Sequence, residues 1–69
     1  KQTELDKLTH AEKEILKLIA QNKTSAQIAD ELFRSVRTIE NHRNNICNKL
    51  GLKGPHALLL YAIQHKSAF

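Results

Sequence analysis

Cysteine occurs once in the 69 residues, at Cys47, so no internal disulfide can form and no Cys/His spacing resembles a zinc site. A single cysteine suits a reducing compartment. No apolar run approaches the ~18 residues that a membrane span needs, and no signal-peptide pattern is present. The cytoplasm is the expected location, with no membrane partner. The first residue is Lys1 rather than Met, which suggests a piece of something longer. No segment alternates with period two, and no internal repeat stands out. A chain this short holds one small domain with a modest core and little room for a large buried catalytic cleft.

Candidate catalytic groups are also sparse. His10, His42, His56 and His65 belong to three different elements, and no acid or nucleophile sits at a telling distance from them. His42 and Cys47 point in different directions on one helix; each reads as filling the edge of the core. The checklist of nucleophile, base and pocket finds no set, so no enzyme, no cofactor and no metal are expected.

What is present is helical. Residues 1–7 are polar and aperiodic and read as a linker or flexible N-terminus, leaving 8–69 as the domain. The pattern predicts an all-α fold of four helices, at about 9–21, 25–32, 36–50 and 55–66. Thr9 with Glu12, and Thr24 with Gln27, form capping boxes. Leu8, Ala11, Ile15, Leu16, Leu18 and Ile19 recur at helical spacing, and Asn22 tolerates the left-handed conformation that ends many helices. Ile28, Ala29 and Leu32 face inward on the second helix. Ser35 caps the third, whose core stripe is Ile39, Ile46 and Leu50, and Gly51 closes it. Pro55 suits the first turn of the fourth helix. A short helix, a tight turn and a longer basic helix make the helix-turn-helix layout.

Charge is unevenly placed. Residues 33–53 carry Arg34, Arg37, Arg43, Lys49 and Lys53 against Glu40 alone, whereas residues 1–32 carry five Lys against six acids. That is the footprint of a surface that meets phosphates, although a solvated basic helix has the same composition. On a helical wheel Arg37, Asn41, Asn44 and Asn48 share a narrow arc opposite the core stripe, with Glu40 and Asn45 beside it. Asn is a mediocre helix former, so a merely solvated face would more cheaply use Glu, Lys, Gln or Ala. An amide presents a donor and an acceptor side by side, matching the N6/N7 edge of adenine, and Glu accepts from cytosine N4. Glu40, Asn41, Asn44 and Asn48 are therefore the candidate base contacts. Helix N-termini hold phosphate oxygens, which nominates Thr24 and Ser25 on the second helix and Ser35 and Thr38 on the third. Arg37 and Asn45, on and beside the arc, join them as candidate backbone contacts.

The run LTHAEKEILKLIAQNKTSAQIADELFRSVRTIENHRNNICNKLGL resembles the LuxR/FixJ-type helix-turn-helix domain, also called the GerE family, of bacterial transcription factors. Leu8-Thr9, Glu12, Glu14, Leu16, Leu18-Ile19-Ala20, Ile28-Ala29, Leu32, Ser35, Thr38-Ile39, His42, Ile46 and Lys49-Leu50-Gly51 carry the likeness. It extends over about residues 8–66. The resemblance implies four helices with the third in the major groove, base contacts from Glu40, Asn41 and Asn44, and backbone contacts from Thr38 and Lys49, with Ser35, Arg37 and Lys53 as additions. It implies double-stranded DNA as the partner, a receiver or sensor domain upstream, and RNA polymerase as a further partner. Arg34 stands where an apolar residue is usual, Ala11 where Arg is frequent, Asn22 where Gly is common, and Glu40 where many members carry Lys.

Ala57 to Ile63 is apolar or aromatic throughout, more than one core-facing stripe can bury. With Leu58, Leu59 and Ala62 inward, Ala57, Leu60, Tyr61 and Gln64 form a second face suited to a two-fold homodimer. The competing class is a helical protein-interaction module whose basic face binds an acidic partner. RNA is disfavoured, because sequence-specific RNA readers stack exposed bases on aromatics. Only Phe33, Tyr61 and Phe69 are available, and none lies on the third-helix face.

Overall fold

The computed structural model describes residues 4–54 and 56–66, and the side chains from Asp6 onward. The expected opening of the fourth helix at Pro55, and Phe69 among the aromatics, lie outside the described residues. Four helices follow one another: α1 (His10–Ala20), α2 (Ser25–Leu32), α3 (Val36–Leu50) and α4 (Ala57–Gln64). The all-α architecture agrees with the expectation from the sequence.

Local chemistry sets the first three helix starts. Thr9 Oγ1 accepts the Glu12 N–H at 3.2 Å while the Thr9 N–H donates to Glu12 Oε1 at 2.8 Å. Thr24 and Gln27 repeat the exchange at 3.1 and 2.8 Å. Each box satisfies two backbone or cap groups that would otherwise lack partners, worth about 1 kcal/mol apiece. Ser35 caps α3 through the Thr38 N–H at 3.1 Å. α4 differs: its cap position, His56, makes no side-chain bond to the helix. An eight-residue helix without such a cap depends on its packing partner, here chiefly α1.

The ends are set by backbone geometry. Asn22 adopts φ 65°, as the sequence suggests, and Gly51 closes α3 at φ 68°. Phe33 ends α2 in the left-handed region at φ 57° with its ring 93% exposed. An L residue is disfavoured there by roughly 1–2 kcal/mol, and almost no burial offsets it. Phe33→Gly is therefore expected to raise the unfolding free energy by about 0.5–1 kcal/mol, the flexibility of Gly in the unfolded chain taking back part of the gain. Urea unfolding checks this, and a destabilised variant would mean that the ring makes a contact worth more than the strain.

Ile15, Leu16, Ile19, Ile28, Ile39 and Ile46 are almost wholly buried and form the centre of one core, which Leu8, Leu18, Ala29, Leu50, Leu58, Tyr61 and Ala62 extend. α1 packs on α4 and on α3, and α2 packs on α3.

Four expectations need correction. Within the expected linker, Glu4–Lys7 forms a 3₁₀ turn lying near α3; three residues per turn leave no 3.6-residue signature in a sequence. Ala11 is exposed, and the inward position beside it belongs to Glu12, 3% exposed. α4 ends at Gln64, two residues short of the expected 66. Tyr61, expected outward, is 9% exposed within the core cluster, its ring 4.2 Å from that of His65. Leu60 faces solvent as expected, 57% exposed, and Ile63, 49% exposed, takes the outward place of Tyr61. A seven-residue apolar run contains no polar interruption to say which stripe turns inward, and a ring has more area to bury than a Leu side chain.

Candidate nucleic-acid interface

α2 and α3 are joined by Phe33, Arg34 and Ser35, so that a short capped helix leads through three residues into the longest helix of the chain. Ile39, Ile46 and Leu50 fix α3 against the core from one side. Their burial forces the opposite side outward: Arg37, Glu40, Asn41, Asn44, Asn45 and Asn48 are all exposed. Among the described residues, the side chains of Glu40, Asn41, Asn44 and Asn48 have no hydrogen-bond or ion-pair partner within the chain. Their donors and acceptors are spent on nothing internal. A helix about 10–12 Å across carrying such a row matches the major groove, about 12 Å wide.

The candidate backbone contacts divide. Thr24 and Ser35 use their hydroxyls in capping, and the Thr38 hydroxyl is bonded to Ser35 Oγ at 2.9 Å. A hydroxyl that accepts an N–H keeps its own proton to donate, so the cap and a phosphate contact are compatible at Thr24. Ser25 is half-buried at the start of α2, and Lys53 is exposed just past α3.

Lys49 has a different environment. Its Nζ donates to Glu12 Oε1 at 2.6 Å, tying α3 to α1 across 37 residues of sequence. The Glu12 side chain is 4% exposed and that of Lys49 36%. Burial alone would raise the Glu12 carboxyl, but the Lys49 ammonium and the Thr9 N–H outweigh it and hold the group below the usual carboxylate range. The cap signature at Glu12 is readable in the sequence; its second partner is not, because nothing local points from residue 12 to residue 49.

Among the described residues, hollows lie on either side of the helix pair. One, of about 300 Å³, brings Arg43 of α3 and His56 beside Asn22, Lys23, Thr24 and Ser25 at the N-terminus of α2. Lys23 is ion-paired with Glu31. Arg43 thus adds a cation near a helix end that itself favours anions. Sequence reasoning counted its charge but gave it no role, since on the wheel it lies well off the amide arc. The other hollow, of about 190 Å³, is lined by Ala11, Glu14, Ile15, Leu32, Arg34, Ile39 and His42. It brings together Arg34 and Ala11, two of the departures from the family pattern.

A capped short helix, a three-residue turn and a longer helix that exposes amides and cations define a helix-turn-helix DNA-binding domain. Residues 6–62 match the family described as bacterial regulatory proteins, luxR family. The chain belongs to that family and carries its helix-turn-helix DNA-binding domain. It is 49% identical over 47 residues to the spore germination protein GerE of Bacillus subtilis (strain 168), covering 68% of this chain and 64% of that protein. It is 46% identical over 59 residues to the oxygen regulatory protein NreC of Staphylococcus aureus (strain JH9), covering 86% of this chain and 27% of that protein. The chain thus spans less than two thirds of either relative. Among the described residues no helix is long and apolar enough to cross a membrane.

Proposed function

We propose that the chain reads specific sequences in double-stranded DNA with α3 lying in the major groove. Glu40, Asn41, Asn44 and Asn48 meet base edges, while Thr24, Ser25, Ser35, Arg37, Thr38, Asn45 and Lys53 meet the sugar-phosphate backbone. Arg43 joins that backbone set. Lys49 leaves it, because its charge is matched by a buried carboxylate. The observation that carries this reading is the row of exposed, internally unbonded amides on α3, set opposite the buried Ile39, Ile46 and Leu50.

Two copies pair through α4 on such a site, using Ala57, Leu60, Ile63 and Gln64. The two exposed aliphatic side chains of that helix support this pairing. The 27% coverage of NreC supports a role as the output domain of a larger regulator, joined to a receiver or sensor domain. The cytoplasm is the compartment for such a role, and RNA polymerase is the further partner that it implies.

Selection from a random duplex pool, with titration of the enriched sites at two salt concentrations, tests the proposal. A short motif repeated as two half-sites is expected, with affinity falling steeply as salt rises. Weak salt-sensitive binding without any enriched motif would overturn it in favour of a basic face for an acidic protein.

A further inference from the structure

Four large apolar side chains stand out in solvent among the described residues: Leu60 and Ile63 on α4, and Phe33 and Val36 on either side of the Ser35 cap. The second pair has no place in the contacts assigned above. Val36 is the first residue of α3 and is 47% exposed. A β-branched residue there gives the helix no propensity advantage, and its exposed methyls contribute little to the core. Glu40 follows four residues later, about 40° around the helix and about 6 Å along it, so the two side chains are neighbours on the flank of α3, with Glu40 between Val36 and the amide arc.

We infer that Val36 is a base-reading residue, packing on the C5-methyl group of a thymine beside the base pair engaged by Glu40. Thymine alone among the four bases presents an apolar group in the major groove, and aliphatic side chains are its natural contact. Residues in the N-terminal part of a recognition helix reach base edges. An apolar side chain continuous with an acidic one therefore selects a thymine next to a base that offers an amino group, such as cytosine. This inference rests on the major-groove reading proposed above and adds a residue that neither the charge pattern nor the amide arc reveals.

Uracil differs from thymine only by the missing methyl, which makes the test atomic. Each thymine of the selected site is replaced in turn by uracil, and affinity is measured for the 69-residue chain and for Val36→Ala. One thymine per half-site is expected to lose about fourfold on replacement, the value of one buried methyl at about 0.8 kcal/mol. Val36→Ala should bind the thymine and uracil duplexes alike, with an unchanged circular dichroism spectrum. A wild-type chain indifferent to uracil at every position would overturn the inference while leaving sequence reading intact. So would a Val36→Ala variant that keeps the full fourfold loss. Failure to select any motif would remove the major-groove reading and this inference together.

Discussion

Lys49→Ala is expected to cost the domain about 2–3 kcal/mol in urea unfolding at pH 7, a large part of what a chain of this size commands. The variant leaves the Glu12 carboxylate, 4% exposed, with only the Thr9 N–H and its cap to satisfy it. Breaking a buried pair by removing one partner costs 3–5 kcal/mol in drier settings; the half-open Lys49 lowers the figure. The sign of the pH dependence follows from Glu12. Its carboxyl is depressed in the folded state, so the pair's contribution is full above the unfolded value of about 4.3 and is lost as pH falls through the lower folded value. The difference between wild type and Lys49→Ala should accordingly shrink as the solution is acidified from pH 7 towards pH 3. Binding to DNA should keep nearly the same salt dependence, because the lost charge was already balanced. A stability change below about 0.5 kcal/mol would show that solvent screens the pair as it does on an open surface.

Asn44→Ala is expected to lose roughly 1–3 kcal/mol on the selected DNA site, between fivefold and a hundredfold or more in affinity, and to relax preference at one base pair. Asn44 sits in the middle of the exposed arc, a turn beyond Glu40 and Asn41 and a turn before Asn48, with no internal bond to lose. Alanine is the better helix former, so the fold should not suffer. The control is Lys53→Ala, which should weaken all sequences equally and flatten the log-log salt slope by about 0.9. If Asn44→Ala also lost equally on every duplex, Asn44 would be a backbone contact and the amide row would not be the reading surface.

The places where sequence and structure differ in α1 and α4 share a cause. Helix starts were legible at Thr9, Thr24 and Ser35 because a cap is a dialogue between residues three apart. The amide face of α3 was legible because three buried aliphatic residues fix its rotation. Where the deciding contact is distant, local pattern fails. Glu12 reads as a cap and nothing more until α3 brings Lys49 against it. In α4 an unbroken apolar run leaves rotation to the surface of α1, which takes in Tyr61 and leaves Ile63 out. Ala11 has the apolarity of an inward residue, yet the inward position belongs to Glu12, a carboxylate paired with its own cation.

α1 stands between the helix proposed to pair two copies and the helix proposed to read bases, packed on both. It is a single rod of eleven residues without a proline or glycine. A rod does not stretch, so in a paired complex the distance between the two reading helices is set by its packing rather than by a flexible joint. Inserting one base pair between half-sites moves them about 3.4 Å apart and turns one against the other by about a tenth of a revolution. The domain pair would then act as a ruler on its operator, tolerant of the bases between half-sites but not of their number.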